Sequence, residues 1–167
     1  MGAFDKLNLV IGPHADGALD NPYRGFSVKQ AIIQYPGFCR ALKEIADLHQ
    51  QCLESKNYGG LLITGQTGSG KTTVLKYYQS FFPVRNEPER RVVPVLLVTT
   101  PAVPTVKNLA EAILIALGDP AASKGTAEAK TTRIYRYLKE CKVEVLMIDE
   151  FQHFHDSRKV SHARDMT

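Results

Sequence analysis

The sequence has few cysteines and no long apolar segment. Its three cysteines, Cys39, Cys52 and Cys141, lie far apart and form no C-x-x-C pair, so neither a zinc site nor a disulfide framework is predicted. No apolar run approaches the roughly 20 residues of a membrane-spanning helix, and the first residues lack a signal-peptide pattern. Lys6 stands where N-myristoylation needs serine or threonine. We therefore expect a cytoplasmic protein without a membrane partner.

Length and charge further limit the possible fold and partners. The chain has 167 residues, of which 44% are hydrophobic, and a net charge of +4. This length predicts one domain with a buried core, and the charge permits contact with nucleic acid without requiring it. We expect an irregular N-terminal arm over residues 1–35, a folded core over 36–158 and a short disordered tail over 159–167.

The most informative motif is G-Q-T-G-S-G-K-T-T at residues 65–73, which matches G-x-x-x-x-G-K-[ST]. Glycines let backbone N–H groups converge on a phosphate, and the start of the next helix favours an anion. Lys71 is predicted to contact the β- and γ-phosphates as a catalytic residue, and the Thr72 hydroxyl to bind Mg²⁺. The predicted nucleotide-binding residues are Gly65, Gln66, Thr67, Gly68, Ser69, Gly70, Lys71, Thr72 and Thr73.

The surroundings of this motif predict a strand, a loop and a helix in succession. Leu61, Leu62 and Ile63 form an apolar run before the loop, and apolar positions at helical spacing follow it up to Phe82. This order is the setting that a phosphate-binding loop requires, and a simple glycine-rich turn is the less favoured alternative.

A second candidate site lies at the end of another apolar run. Residues 143–148 read V-E-V-L-M-I and are followed by Asp149 and Glu150, a pattern typical of a parallel strand buried on both faces. A carboxylate at this end of a strand can hold Mg²⁺, and its neighbour can polarise a water molecule. We predict that Asp149 binds the metal and that Glu150 is the general base; two solvated acids are the alternative.

The remaining pattern alternates helices and strands. Residues 36–56 form a helical stripe interrupted at His49, and 83–91 form a charged loop. Pro94 should weaken the first half of a strand over 92–98. Helices are predicted from Val106, between a Thr105 cap and a Gly118 stop, and over residues 126–141. Alternation of this kind predicts an α/β fold around a parallel sheet.

The motifs together resemble those of the TniB/TnsC group of AAA+ ATPases, which act in bacterial transposition. The resemblance rests on the phosphate loop, on V-T-T-P-A-V-P-T-V-K-N-L, on A-L-G-D-P-A-A-S-K-G-T and on V-L-M-I-D-E-F-Q-H-F, and it covers about residues 7–159. It implies a P-loop NTPase sandwich of three layers that uses ATP and Mg²⁺. It further implies a ring or filament of subunits on duplex DNA, with a transposase and target-selection proteins as partners.

The resemblance assigns roles to individual residues. The Walker A motif falls on residues 65–72 and the Walker B pair on Asp149 and Glu150. The DNA-facing loops of the family place Lys107, Lys124 and Thr126 near the phosphate backbone, where a lysine could neutralise a phosphate without reading sequence. For Lys107, an ordinary solvated lysine is an equal alternative. Four basic residues of the third helix and its end are expected to form a solvated face: Arg133, Arg136, Lys139 and Lys142.

The chain also departs from the family pattern. Residues 151–167 contain no apolar run for a fourth or fifth core strand or for a helical lid. We therefore expect an incomplete sheet with exposed strand edges. Because the sensor residue and the arginine finger that the family carries after the Walker B strand have no counterpart here, we also expect little or no ATP turnover. Two functions remain open: an ATP-dependent regulator of transposition, or a non-catalytic nucleotide-binding remnant or interaction module. A generic AAA+ ATPase unrelated to transposition is a further alternative.

Overall fold

The computed structural model describes Phe4 and residues 35–154. The chain divides between Phe81 and Phe82 into two compact units. The predicted tail and nearly all of the predicted arm lie outside the described residues. In chain order the structure has α1 (Pro36–Ser55), α2 (Lys71–Ser80), β1 (Arg85–Asn86), β2 (Arg91–Val92), β3 (Val95–Thr99), α3 (Val106–Leu117), α4 (Ala127–Glu140) and β4 (Val145–Asp149).

In the first unit, helices α1 and α2 pack against each other. Helix α1 begins at Pro36, where the missing N–H has no cost because first-turn amides lack an intrahelical acceptor. It ends before Lys56, which is left-handed with φ 55°. The predicted interruption at His49 is wrong: His49 is buried, and its Nδ1 lies 2.8 Å from the hydroxyl oxygen of the buried Tyr78. This hydrogen bond lets an imidazole occupy the core face of the helix.

The predicted strand before the phosphate loop is not formed. Residues 59–66 have no regular secondary structure, and the side chains of Leu61 and Leu62 are 42% and 76% exposed. A strand exists only through hydrogen bonds to a neighbouring strand. Within the described residues no strand pairs with this segment. Its apolar, β-favouring composition is therefore not sufficient to form a strand. The expected succession of strand, loop and helix is therefore corrected to an irregular segment, a loop and a helix.

The second unit contains a parallel pair of strands, β3 and β4, in the register Val95↔Val145 to Thr99↔Asp149. Helix α3 packs against β3 and against α4. Side chains from β3, α3 and the end of α4 form the core, with Val93, Leu96, Val98, Ile113, Leu117 and Cys141 buried.

The predicted limits of helix α3 are confirmed. Thr105 accepts a hydrogen bond from the Asn108 N–H at 3.0 Å, and Gly118 ends the helix in the left-handed conformation with φ 90°. Helix α4 likewise begins after Thr126, whose hydroxyl accepts from the N–H of Ala129. Short-range cap chemistry thus determines these three helix ends.

The strands differ from the predicted ones in three ways. The regular part of the predicted strand 92–98 begins after Pro94, as β3, whereas Val92 belongs to an antiparallel hairpin of β1 and β2. Strand β1 lies inside the segment predicted to be a charged loop. The prediction that the β4 strand is buried on both faces is wrong, since Leu146 is 38% exposed and the described sheet has only two strands.

The combination of helices with a short parallel sheet supports the α/β class. The full sandwich of a P-loop NTPase stays a prediction. In the described part of the chain, no helix combines the length and the apolar character needed to cross a membrane.

Candidate functional site

The predicted phosphate-binding loop is an exposed turn whose shape depends on two glycines. Gly68 and Gly70 have φ values of 80° and 78°, in the left-handed region that side chains with a Cβ disfavour. Between them, the Ser69 N–H donates to the Gln66 carbonyl oxygen at 3.1 Å. The loop therefore reverses direction within a few residues and leads directly into helix α2.

Lys71 is folded back on this loop. Its Nζ donates to the carbonyl oxygens of Gly65, at 2.8 Å, and of Gln66, at 2.9 Å. The arrangement keeps a cation over the loop and available to a stronger, anionic acceptor.

The start of helix α2 adds a second feature that favours an anion. Gly70 is the N-cap and supplies no side-chain hydrogen bond. The backbone N–H groups of Lys71, Thr72 and Thr73 therefore have no intrahelical acceptor. These donors and the Lys71 ammonium belong to one short segment, and together they suit a phosphate group better than any neutral ligand.

Tyr35 is part of this site although the sequence patterns did not indicate it. Its hydroxyl donates to the carbonyl oxygen of Ser69, and a Cβ placed on Gly70 would lie 3.1 Å from that hydroxyl oxygen. The ring also packs edge-on against Phe38 in helix α1, at 6.1 Å between ring centroids. Local sequence patterns could not predict the contact between Tyr35 and Ser69, because these two residues are 34 positions apart along the chain.

Asp149 and Glu150 belong to the second unit, at the carboxyl end of β4. Asp149 is only 8% exposed, and its carboxylate Oδ1 accepts the Glu150 N–H at 2.9 Å. The Thr100 N–H donates to the Asp149 carbonyl oxygen at 2.9 Å, which extends the β3–β4 pairing by one residue. The two acids thus occupy the edge of the sheet where ligands of parallel α/β folds bind.

Thr100 contributes a feature that the sequence analysis missed. It is 4% exposed, and its Oγ1 has no hydrogen-bond partner among the described residues. An unsatisfied buried hydroxyl costs about 1–3 kcal/mol, so such groups are normally found where water or a ligand binds. The pair Thr99-Thr100 at the end of an apolar strand was the available sequence signal.

Glu150 has an unusual backbone and an engaged side chain. Its φ of 57° is left-handed, which is rare for a residue with a Cβ and common at functional sites. One carboxylate oxygen, Oε2, accepts from the Gln152 amide and lies 3.8 Å from Nε2 of His153. The carboxylate that was predicted to be a general base therefore has local partners.

The residues predicted to bind Mg²⁺ carry suitable donors. The Thr72 hydroxyl and the Asp149 carboxylate are oxygen ligands, the type that Mg²⁺ prefers, and the unsatisfied Thr100 hydroxyl lies at the same sheet edge as Asp149. Residues 35–154 contain no cluster of three or more His, Cys, Asp or Glu side chains that could hold a metal without further ligands. A Mg²⁺ ion bound by Thr72 or Asp149 would take part of its coordination from phosphate and water.

The residues predicted to contact DNA lie in the second unit and differ in surroundings. Lys107 and Lys124 are exposed, whereas the Thr126 hydroxyl is engaged as the cap of α4. Arg133 does not belong to a solvated face as predicted. Its Nε lies 3.1 Å from Oδ2 of the buried Asp119, and its guanidinium donates to backbone carbonyls of the turn before α4.

Comparison with known proteins gives one finding. A model of the family described as bacterial TniB protein matches residues 26–166, which is most of the chain. No match was found among curated proteins. The family match covers both the loop at residues 65–73 and the Asp149–Glu150 pair, and it favours a transposition-associated protein over an ATPase unrelated to transposition. The chain belongs to the bacterial TniB family and is a transposition-associated ATP-binding protein.

Proposed function

We propose that this chain binds ATP and Mg²⁺ through the loop at residues 65–73 and regulates DNA transposition, assembling on duplex DNA and contacting a transposase. The observation that carries the nucleotide part is the position of Lys71, whose ammonium rests on the carbonyls of Gly65 and Gln66 beside the uncapped start of α2. Bound phosphates would replace these neutral acceptors with charged ones, which gives the stronger hydrogen bonds.

Nucleotide binding is tested with a fluorescent ATP analogue and purified protein. Lys71→Ala should weaken binding about 10- to 100-fold, since a hydrogen bond to a charged group contributes about 1.5–3 kcal/mol. Lys76→Ala is the matched control, because Lys76 is exposed on the same helix and its substitution removes the same charge. Equal affinity of the Lys71→Ala variant and the parent chain would exclude the loop as the binding site.

Mg²⁺ would be held by the Thr72 hydroxyl and the Asp149 carboxylate, and it would neutralise charge on the phosphates. The proposal is supported by the oxygen donors at these positions and by the unsatisfied Thr100 hydroxyl near Asp149. Removing Mg²⁺ with EDTA should weaken ATP binding in the parent chain. The same treatment should have a smaller effect on Asp149→Asn, in which one charged ligand is already lost.

DNA binding is proposed for the exposed lysines Lys107 and Lys124, which are free to meet a phosphate backbone. Sedimentation with duplex DNA should show assembly that requires a non-hydrolysable ATP analogue. Lys107→Ala and Lys124→Ala should each lose a phosphate contact, and each should reduce the slope of log affinity against log salt by about 0.9. Lys139→Ala, an exposed lysine in the last turn of α4, is the control. Equal DNA affinity with and without nucleotide would favour the non-catalytic module.

Hydrolysis is proposed to be slow in this chain alone, with Asp149 as metal ligand and Glu150 as general base. The support is the engagement of the Glu150 carboxylate by Gln152 and the proximity of His153, which compete with an attacking water molecule. Phosphate release should stay below about one turnover per minute, against typical enzyme rates of about 1–1000 per second. Faster release that disappears in Glu150→Gln would contradict this part of the proposal.

A further inference from the structure

Tyr35 contacts the phosphate-binding loop from outside the motif. Its hydroxyl donates to the Ser69 carbonyl oxygen, and its ring is held by the buried Phe38 of helix α1. Phe38 in turn packs against Tyr77 of helix α2, at 5.5 Å between ring centroids. The ring that carries the hydroxyl thus packs against Phe38 of α1, and Phe38 is itself held against α2 by Tyr77.

The bonded carbonyl belongs to the peptide group that joins Ser69 to Gly70. In a trans peptide the C=O and the N–H point in opposite directions, so holding the carbonyl towards Tyr35 holds the Gly70 N–H away from it. Rotation of this peptide plane changes ψ of Ser69 and φ of Gly70. Glycine tolerates both signs of φ, so the motif itself does not prevent the rotation.

We propose that Tyr35 is a positioning residue of the phosphate-binding loop, which selects one orientation of the Ser69–Gly70 peptide and so presents its N–H to a bound phosphate. The inference rests on the proposed nucleotide site. A rotated peptide would present a carbonyl oxygen to the phosphate instead, and like partial charges would repel. The hydrogen bond from Tyr35 removes this unfavourable orientation before the ligand arrives, which lowers the ordering cost of binding.

The test compares Tyr35→Phe with the parent chain. Phenylalanine keeps the ring against Phe38 and removes only the hydroxyl, so the variant is expected to fold. Tyr58→Phe is the matched control, because Tyr58 is fully exposed in the same unit. Three probes are titrated: a non-hydrolysable ATP analogue, ADP and inorganic pyrophosphate. Thermal unfolding without ligand accompanies each titration.

Tyr35→Phe should bind all three probes about 3- to 10-fold more weakly, the size of one neutral hydrogen bond, while Tyr58→Phe binds like the parent. A purely structural role would lower thermal stability and leave the three affinities unchanged, and that result would overturn the inference. Weaker ATP binding with unchanged pyrophosphate binding would also overturn it, since Tyr35 would then act on the base. If the parent chain binds none of the probes, the proposed function fails and the inference fails with it.

Discussion

Substitution of Gly70 by alanine should destabilise the protein more than the same substitution at Gly68. Both glycines are left-handed, with φ of 78° and 80°, so alanine costs about 1–2 kcal/mol at either position. They differ in space: a Cβ at Gly68 meets no atom within 4 Å, whereas one at Gly70 lies 3.1 Å from the Tyr35 hydroxyl oxygen. Moving that hydroxyl aside weakens its hydrogen bond, whose complete loss would cost about 0.5–1.5 kcal/mol.

The expected loss of unfolding free energy is therefore about 2–3 kcal/mol for Gly70→Ala and about 1–2 kcal/mol for Gly68→Ala. Urea unfolding followed by circular dichroism measures both. The gain from a stiffer unfolded chain is common to the two variants and cancels in the comparison.

A double-mutant cycle isolates the contact with Tyr35. In the Tyr35→Phe background the nearest side-chain atoms to a Cβ at Gly70 would be ring carbons, which now lie at 3.8 and 3.9 Å, an ordinary contact distance. Gly70→Ala should then cost no more than Gly68→Ala, a coupling of about 1 kcal/mol. An equal cost of Gly70→Ala in both backgrounds would refute the reasoning.

Three further predictions concern the second unit. Glu111→Ala should lower the unfolding free energy by about 3 kcal/mol or more, because the fully buried Lys130 ammonium loses the carboxylate 2.5 Å away. Adding Lys130→Met to this variant should restore most of the lost unfolding free energy. A loss below about 1 kcal/mol in Glu111→Ala would contradict the importance of the pair. Burial raises the pKa of the Cys141 thiol, with Glu140 adding to it and Arg91 opposing it. The resulting stability is present below the ordinary thiol pKa of about 8.5 and is lost as pH rises through the folded value, so Cys141→Ala should flatten the alkaline decline in urea unfolding. Hydrogen bonds from its own backbone N–H and from the Thr126 hydroxyl lower the pKa of Glu128, so its contribution is present above the ordinary carboxyl pKa and lost as pH falls through the folded value. Glu128→Gln should therefore show a smaller loss of stability on acidification than the parent chain; an unchanged acid profile would exclude this contribution.

The engagement of Glu150 illustrates a limit of motif interpretation. The spacing of Asp149 and Glu150 after an apolar run predicted two acids at a strand end, and the strand is present. The partners of the Glu150 carboxylate, Gln152 and His153, follow it closely in sequence, and the backbone at Glu150 is left-handed. A pattern of residue types carries no information on such a conformation.

Features of this protein that depend on a few neighbouring residues were determined by the sequence alone. Thr105, Gly118 and Thr126 end or begin their helices as predicted, because a cap hydrogen bond or a left-handed glycine acts within three or four residues. The left-handed backbone of the loop at residues 65–73 follows from Gly68 and Gly70 for the same reason.

Features that require a partner far along the chain were decided only by the tertiary structure. Leu61 and Leu62 form no strand, because a strand needs a neighbour to accept its hydrogen bonds. His49 is buried because Tyr78 supplies a hydrogen-bond partner, and Lys130 because Glu111 supplies a charge. A polar group enters a core only when such a partner offsets its desolvation, and sequence patterns do not state where the partner lies.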